Sequence, residues 1–283
     1  MFPVSQHFSF EFFPPRDAEA ALKLRQAYQR LAPLQPEFFS VTFGAGGSTQ
    51  DKTTETVLDI VAQTPIEAAP HLSCIGSQRG NIRAILDNYR SHGVKRIVAL
   101  RGDMPSGMLS AGDFSYANEL VAFIRAETGD HFRIEVAAYP EVHPQARDAA
   151  TDLRNFKRKV DAGADEALTQ YFYNADAYFD FVERARHIGI DIPIVPGIMP
   201  IGNFNQLRRF SENCGAEIPR WIQKRMESYG DDAGSIRAFG LEVVTQLCRR
   251  LLDGGAPGLH FYTMNQSETM LALWKNLELP VPA

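Results

Sequence analysis

Residues 96–103 read RIVALRGD: a nearly continuous apolar run, RIVAL, followed at once by a cation, a glycine and an acid. An apolar run of this length fits a strand of a parallel sheet covered by helices on its outer face. Working outward, helical patterns lie on both sides, at 79–93 and 114–128, around a strand expected at 95–101. The same alternation extends to both ends of the chain. Strands are expected at 8–12, 37–43, 67–74, 95–101, 133–139, 166–171, 192–198 and 258–263. Further helical patterns cover 18–32, 50–63, 146–163 and 175–189, a longer region 203–254, and a last segment from about 267. FFSVTF, IEVAAY and IPIV repeat the apolar character of RIVAL. Strict strand–helix alternation selects the α/β class, and eight units in 283 residues match a single (β/α)8 TIM-type barrel. The expectation is one domain over residues 1–283, with extra helices in the connection between strands 7 and 8. In that connection Gly215 and Pro219 break one helix and permit another, and Asp231 or Asp232 is placed to cap a third.

Composition narrows the function. A formal charge of −5 lacks the basic footprint of a dedicated nucleic-acid binder and favours a small-molecule partner. Three widely spaced cysteines, Cys74, Cys214 and Cys248, do not form a disulfide framework and fit a reducing cytoplasm. No stretch reaches the ~18 apolar residues of a membrane span, and no signal peptide is recognisable. The chain is therefore expected to be cytoplasmic, with neither membrane nor nucleic acid as partner.

Barrels of this kind build their active sites at the C-terminal ends of the strands. Reading only those positions returns Glu11, Thr42, His71, Arg101, Asp103, Tyr139, His143 and Gln170. Glu11 is the most unusual. In FSFEFFPPR (8–16) alternation puts Phe8, Phe10 and Phe12 on one face and Ser9, Glu11 and Phe13 on the other, so the acid points toward a core or a pocket. A desolvated carboxyl there is expected to have a raised pKa and to hold a proton near neutrality. The segment alone fits a structural glutamate paired with a buried cation equally well. Thr42 and His71 likewise have plain roles as groups satisfied by backbone, and Arg101 and Asp103 as a turn pair. In DLRNFKRK (152–159), Asp152, Asn155 and Lys159 share a helix face beside Arg158. The run reads either as a solvated surface or as a cradle for a ribose and a diphosphate.

Other chemistries find less support. GAGGST (44–49) lacks the last glycine of the dinucleotide fingerprint, no GKS or GKT phosphate loop is present, and there is no GxSxG elbow. His71 and Cys74 are three apart without further ligands at metal spacing, so no metal site is expected.

FSFEFFPP, SVTFGAGGST, APHLSC, VALRGD, AAYPEVHP, DLRNFKRKVDAGAD, TQYFY, PGIMP and HFYTMN occur in this order, and together the chain resembles the bacterial methylenetetrahydrofolate reductases from about residue 8 to 266. FEFFPP, LRGD and AYPEVHP are the most specific of these. The resemblance implies an FAD-dependent barrel that uses NADH or NADPH to reduce 5,10-methylenetetrahydrofolate to 5-methyltetrahydrofolate for methionine synthesis, the two substrates alternating at one flavin. It implies Glu11 as the acid acting toward N10 of folate, with Asp103 between flavin and folate. FAD contacts would fall on Thr42, His71, Arg101, Asp103, Tyr139, His143, Asp152, Asn155, Arg158 and Lys159. Folate contacts would fall on Gln170, Gln206 and Phe210. Homodimers or homotetramers are implied, as is the absence of the regulatory C-terminal domain of longer eukaryotic members. One departure stands out: Gln266 follows HFYTMN where the family commonly has arginine, leaving Arg208, Arg209 or water for the folate tail. His260 is expected to be structural. Two other functions remain compatible: a folate-linked methyl transferase on the same barrel, and a flavin- or folate-binding protein without turnover.

Overall fold

The computed structural model describes residues 6–43, 47–103 and 112–281. Of the GAGGST turn, residues 44–46 lie outside the described residues. The first half of the chain alternates β1 (His7–Phe12), α1 (Ala18–Leu31), β2 (Phe38–Val41), α2 (Gly47–Gln63), β3 (Glu67–Ser73), α3 (Arg79–Ser91), β4 (Arg96–Leu100) and α4 (Ala117–Thr128). The second half continues with β5 (Arg133–Ala138), α5 (Ala149–Asp161), β6 (Glu166–Thr169), α6 (Ala175–His187), β7 (Ile194–Val195) and β8 (Gly197–Ile198). Three helices follow, α7 (Phe204–Cys214), α8 (Arg220–Tyr229) and α9 (Ala233–Asp253), then β9 (Gly258–Tyr262) and α10 (Ser267–Asn276).

The strands pair in parallel in the order β7-β6-β5-β4-β3-β2-β1-β9-β8. This is a TIM-type barrel whose expected seventh strand is divided in two. The reason is Pro196, which has no N–H to give to a ladder. β7 therefore pairs with β6, β8 pairs with β9, and the barrel closes across the break. Gly197 N donates instead to Thr169 Oγ1 at 2.9 Å. A Cβ at Gly197 would lie 2.2 Å from the carbonyl oxygen of Thr169, so closure at this point requires glycine.

The long connection resolves into three helices for the reasons its sequence suggests. Gly215 ends α7 in the left-handed region at φ 76°, and Pro219 stands immediately before α8. Asp232 caps α9 by accepting from Gly234 N and Ser235 N at 3.0 and 3.1 Å.

Apolar side chains form two layers. Outside the sheet, Phe10 stacks on Phe261 at 5.4 Å and Phe12 meets Phe39 edge-on at 5.4 Å, beneath the helices. Inside the barrel, Phe38, Ala69, Val98, Leu168 and Val195 form a separate buried plug. At the N-terminal end of the strands an ion network closes the floor. Arg96 bonds Glu37, Glu67 and Glu135 at 2.6, 3.1 and 2.8 Å, its guanidinium 4.5 Å from the Phe38 ring centroid. The opposite end is left for polar chemistry.

Candidate active site

Glu11 stands near the C-terminal end of β1, opposite Ser40 of β2 and Tyr262 of β9. Its backbone is pinned by Thr263, whose N and Oγ1 both donate to the Glu11 carbonyl, at 3.1 and 2.6 Å. The side chain points into the barrel and is 7% exposed. Two imidazoles meet its Oε2: His71 Nε2 from β3 at 3.2 Å and His260 Nε2 from β9 at 3.4 Å. The His260 contact is a hydrogen bond, whereas His71 approaches off the hydrogen-bonding direction and leaves its buried Nε2 without an aligned partner. His260 Nδ1 lies 2.7 Å from Ser9 Oγ, which faces it across the β1–β9 pairing. If the ring is neutral, Ser9 donates to Nδ1 and Nε2–H is directed at Glu11.

This environment overturns the expected electrostatics of Glu11. Burial pushes its carboxyl up, but the charge of His71 and the contacts with both imidazoles together pull harder, and its pKa lies at about 2. The phenylalanines of FSFEFF are not its neighbours in the decisive sense, since Phe10 and Phe12 pack outside the sheet. His260, expected to be structural, lies with its ring between Ser9 and the acid.

Glu11 opens into a chamber of about 490 Å³ at the C-terminal mouth of the barrel. Of the residues singled out by sequence, Thr42, His71, Asp103, Tyr139, Gln170 and Phe210 also line it. A second space of about 320 Å³ continues from it as a groove, the two sharing Leu100, Asp103, Ala137 and Tyr139. Arg101, His143, Asp152, Asn155, Arg158 and Lys159 line this groove. Gln206 falls elsewhere. It lines a side cavity of about 270 Å³ that borders the chamber at Met199 and Phe210. The fourteen candidates thus occupy three connected spaces.

The groove is cationic and ordered by its own contacts. α5 starts at Asp148, whose side chain accepts from Thr151 N at 2.7 Å, and presents Asp152, Asn155 and Lys159 along one face. Asp152 accepts from His143 N at 2.9 Å, and Arg158 donates to Asn155 Oδ1 at 3.1 Å. Lys159 donates to the Ala137 carbonyl, and burial pulls its ammonium down to about 8 although Asp152 opposes the shift. Burial also lowers His143 and raises Tyr139 to about 12. Arg101 is held by Gln145 at 2.5 Å. Guanidinium and ammonium groups in a groove that ends at a chamber suit a ligand with a phosphorylated tail and a reactive head.

Sequence reasoning missed Ser9, Gln145, Tyr171, Cys214, Arg237 and Tyr262 as lining or supporting residues. Ser9 was accessible in principle, since it alternates onto the face of Glu11, as Tyr262 does with His260. Tyr171, Cys214 and Arg237 carry no such signal. Among the described residues, no cluster of His, Cys, Asp or Glu has the arrangement of a metal site, and no helix is long and apolar enough to cross a membrane.

Comparison with known proteins agrees with the arrangement. Residues 4–278 match the family model described as "Methylenetetrahydrofolate reductase". The chain is 42% identical to the 5,10-methylenetetrahydrofolate reductase of Salmonella typhimurium over 95% of this chain and 90% of that protein. A probable methylenetetrahydrofolate reductase (NADH) of Oryza sativa is 40% identical, over 96% of this chain and 48% of that longer protein. Among solved structures, an uncharacterized Clostridium thermocellum protein that binds two copies of 5-methyl-5,6,7,8-tetrahydrofolic acid matches with a TM-score of 0.67. It is 15% identical, the match covering 97% of this chain and 95% of that one, a likeness of fold alone.

Proposed function

The chain belongs to the methylenetetrahydrofolate reductase family, an assignment that makes it an oxidoreductase of folate one-carbon metabolism, and we propose that it works as an FAD enzyme oxidising NADH or NADPH. The observation that carries this reading is the continuity of the cationic groove with the Glu11 chamber across Asp103 and Tyr139.

FAD, when bound, supplies the hydride that 5,10-methylenetetrahydrofolate receives. Arg158, Lys159, Asn155 and Asp152 suit its diphosphate and ribose. Thr42, His71, Arg101, Tyr139 and His143 line the way to its ring. Asp103 borders both spaces, so its charge acts on the flavin and on the pterin together. Gln170 offers an amide to the pterin edge, and Phe210 offers a ring for stacking on pterin or nicotinamide.

Glu11 acts as the acid. Opening the five-membered ring of the substrate requires a proton at N10, leaving an electrophilic iminium at N5 that accepts hydride. Glu11 and the two imidazoles that meet its Oε2 form the cluster from which N10 would receive its proton. Substrate binding favours the transfer by displacing water from an already buried cluster.

Residues 1–283 form a single catalytic domain in this reading, in a cytoplasmic homodimer or homotetramer supplying methyl groups for methionine synthesis. The test is stopped-flow mixing of the purified yellow protein with NADH and with NADPH, then of the reduced protein with methylenetetrahydrofolate. Bleaching of the flavin followed by reoxidation by folate is the expected result. Protein that binds no flavin even after incubation with FAD overturns the mechanism.

A further inference from the structure

The side cavity has one charge. Among the described residues that line it, Arg237 alone is ionised; its other polar walls come from Asn203, Gln206, Gln266 and threonine side chains. Arg237 is exposed on α9 and has no hydrogen-bond or ion-pair partner among the described residues. The nearby acid, Asp232, is committed to capping α9 through Gly234 N, Ser235 N and Ser235 Oγ. Gln266, by contrast, carries no charge with which to balance an anion.

The position of the cavity matters as much as its charge. Met199 and Phe210 form its border with the Glu11 chamber. A ligand whose reacting head lies beside Glu11 can therefore pass an appendage over Phe210 and end it beside Arg237. A reduced folate has this shape: a pterin head, an aromatic linker and a glutamate bearing carboxylates.

We propose that Arg237 is the specificity-determining cation for the folate glutamate tail in this chain, its guanidinium pairing with a tail carboxylate while the Gln206 and Gln266 amides bond the same end. The proposal rests on the reductase reading. Arg208 and Arg209, the cations considered from sequence, do not line this cavity, whereas Arg237 comes from a different helix. A planar guanidinium engages a carboxylate in two parallel hydrogen bonds, which gives direction as well as attraction. The chemically similar anion that competes for such a site is a phosphate of the nicotinamide nucleotide.

Calorimetry on the flavin-loaded protein tests this with 5-methyltetrahydrofolate and with 5-methyltetrahydropteroate, which lacks the glutamate. Arg237→Gln should weaken the tail-bearing ligand by about tenfold, in line with the loss of one charge-assisted contact, and the tail-less ligand by less than about twofold. Adding Gln266→Arg to that variant should restore most of the lost affinity. Equal effects on both ligands, no effect on either, or weakened binding of NADPH with folate unchanged would overturn the proposal. Wild-type protein that binds both folates and discriminates through Arg237, yet never reduces methylenetetrahydrofolate, would refute the reductase reading while leaving Arg237 in its role. Wild-type protein that binds neither folate refutes both.

Discussion

Two glutamates are buried at opposite ends of the same barrel, and their protons behave in opposite ways. Glu11, at the C-terminal mouth, is pulled down to about 2, while Glu135, in the floor, is pushed well above the ordinary carboxylate value. Burial pushes both up. The difference lies in the company each keeps. Glu11 is a single carboxylate facing two imidazoles. Glu135 shares Arg96 with Glu37 and Glu67, feels the charge of Glu166, and leaves its Oε2 without a hydrogen-bond partner. At Glu11 the contacts with the imidazoles outweigh burial, whereas at Glu135 burial and the charge of Glu166 outweigh Arg96 and Arg133. The mouth holds an acid–imidazole cluster, and the floor holds an acid–guanidinium network.

The largest expected effect separates chemistry from scaffold. Glu11→Gln should slow reoxidation of the reduced flavin by methylenetetrahydrofolate by about 10²- to 10⁴-fold, the usual contribution of a positioned acid. Flavin reduction by the nicotinamide nucleotide should stay within about twofold, because that step needs no folate proton. Equal loss in both half-reactions, read by stopped flow, would refute the acid role.

At the floor, Arg96→Met should cost about 3–5 kcal/mol, since it leaves the buried Glu135 and the half-buried Glu37 without the cation they share. The urea midpoint measures this, and an unchanged midpoint would show that the floor does not depend on Arg96. Glu135→Gln should be far milder, because the amide preserves the shape of the carboxyl and keeps an oxygen to accept from Arg96.

The pH dependence of unfolding sharpens the contrast through its sign. The depressed Glu11 contributes stability above about 4.5, and this is lost as pH falls toward about 2. Raised Glu135 contributes stability that is full below its unfolded value and is lost as pH rises through its folded value. Glu11→Gln should therefore flatten the acid limb of the urea-midpoint profile, and Glu135→Gln the decline above about 4.5. A single shape for both variants would erase the distinction. The smallest effect is expected from Ser9→Ala, which removes the 2.7 Å contact to His260. A loss of about 1 kcal/mol should appear as a several-fold slower folate half-reaction with unchanged flavin reduction; identical rates in both would leave Ser9 without a role in aligning the imidazole.

Much of this architecture is legible in particular residues. The apolar run RIVAL marks a covered parallel strand, Gly215 and Pro219 mark helix boundaries in the long connection, and of the two cap candidates Asp231 and Asp232 it is Asp232 that caps α9. The division of the seventh strand was less legible. Pro196 stood in plain view, but whether it breaks a ladder depends on which neighbours lie on its two sides. Gln206 was grouped with Gln170 by their shared resemblance, yet the turn of α7 delivers it to a different cavity.

By itself the sequence determined the alternation of elements, the inward direction of Glu11 and the order of polar strand ends, because these follow from periods of two and 3.6 residues within short segments. Only the tertiary structure decided the meeting of Glu11 with two imidazoles, the pairing of Ser9 with His260 and the placing of Arg237 and Gln266 on one cavity. Ser9 and His260 are 251 residues apart in the chain and 2.7 Å apart in space. Electrostatic effects fall with distance and rise with burial, and both are set when the barrel closes and brings β9 against β1.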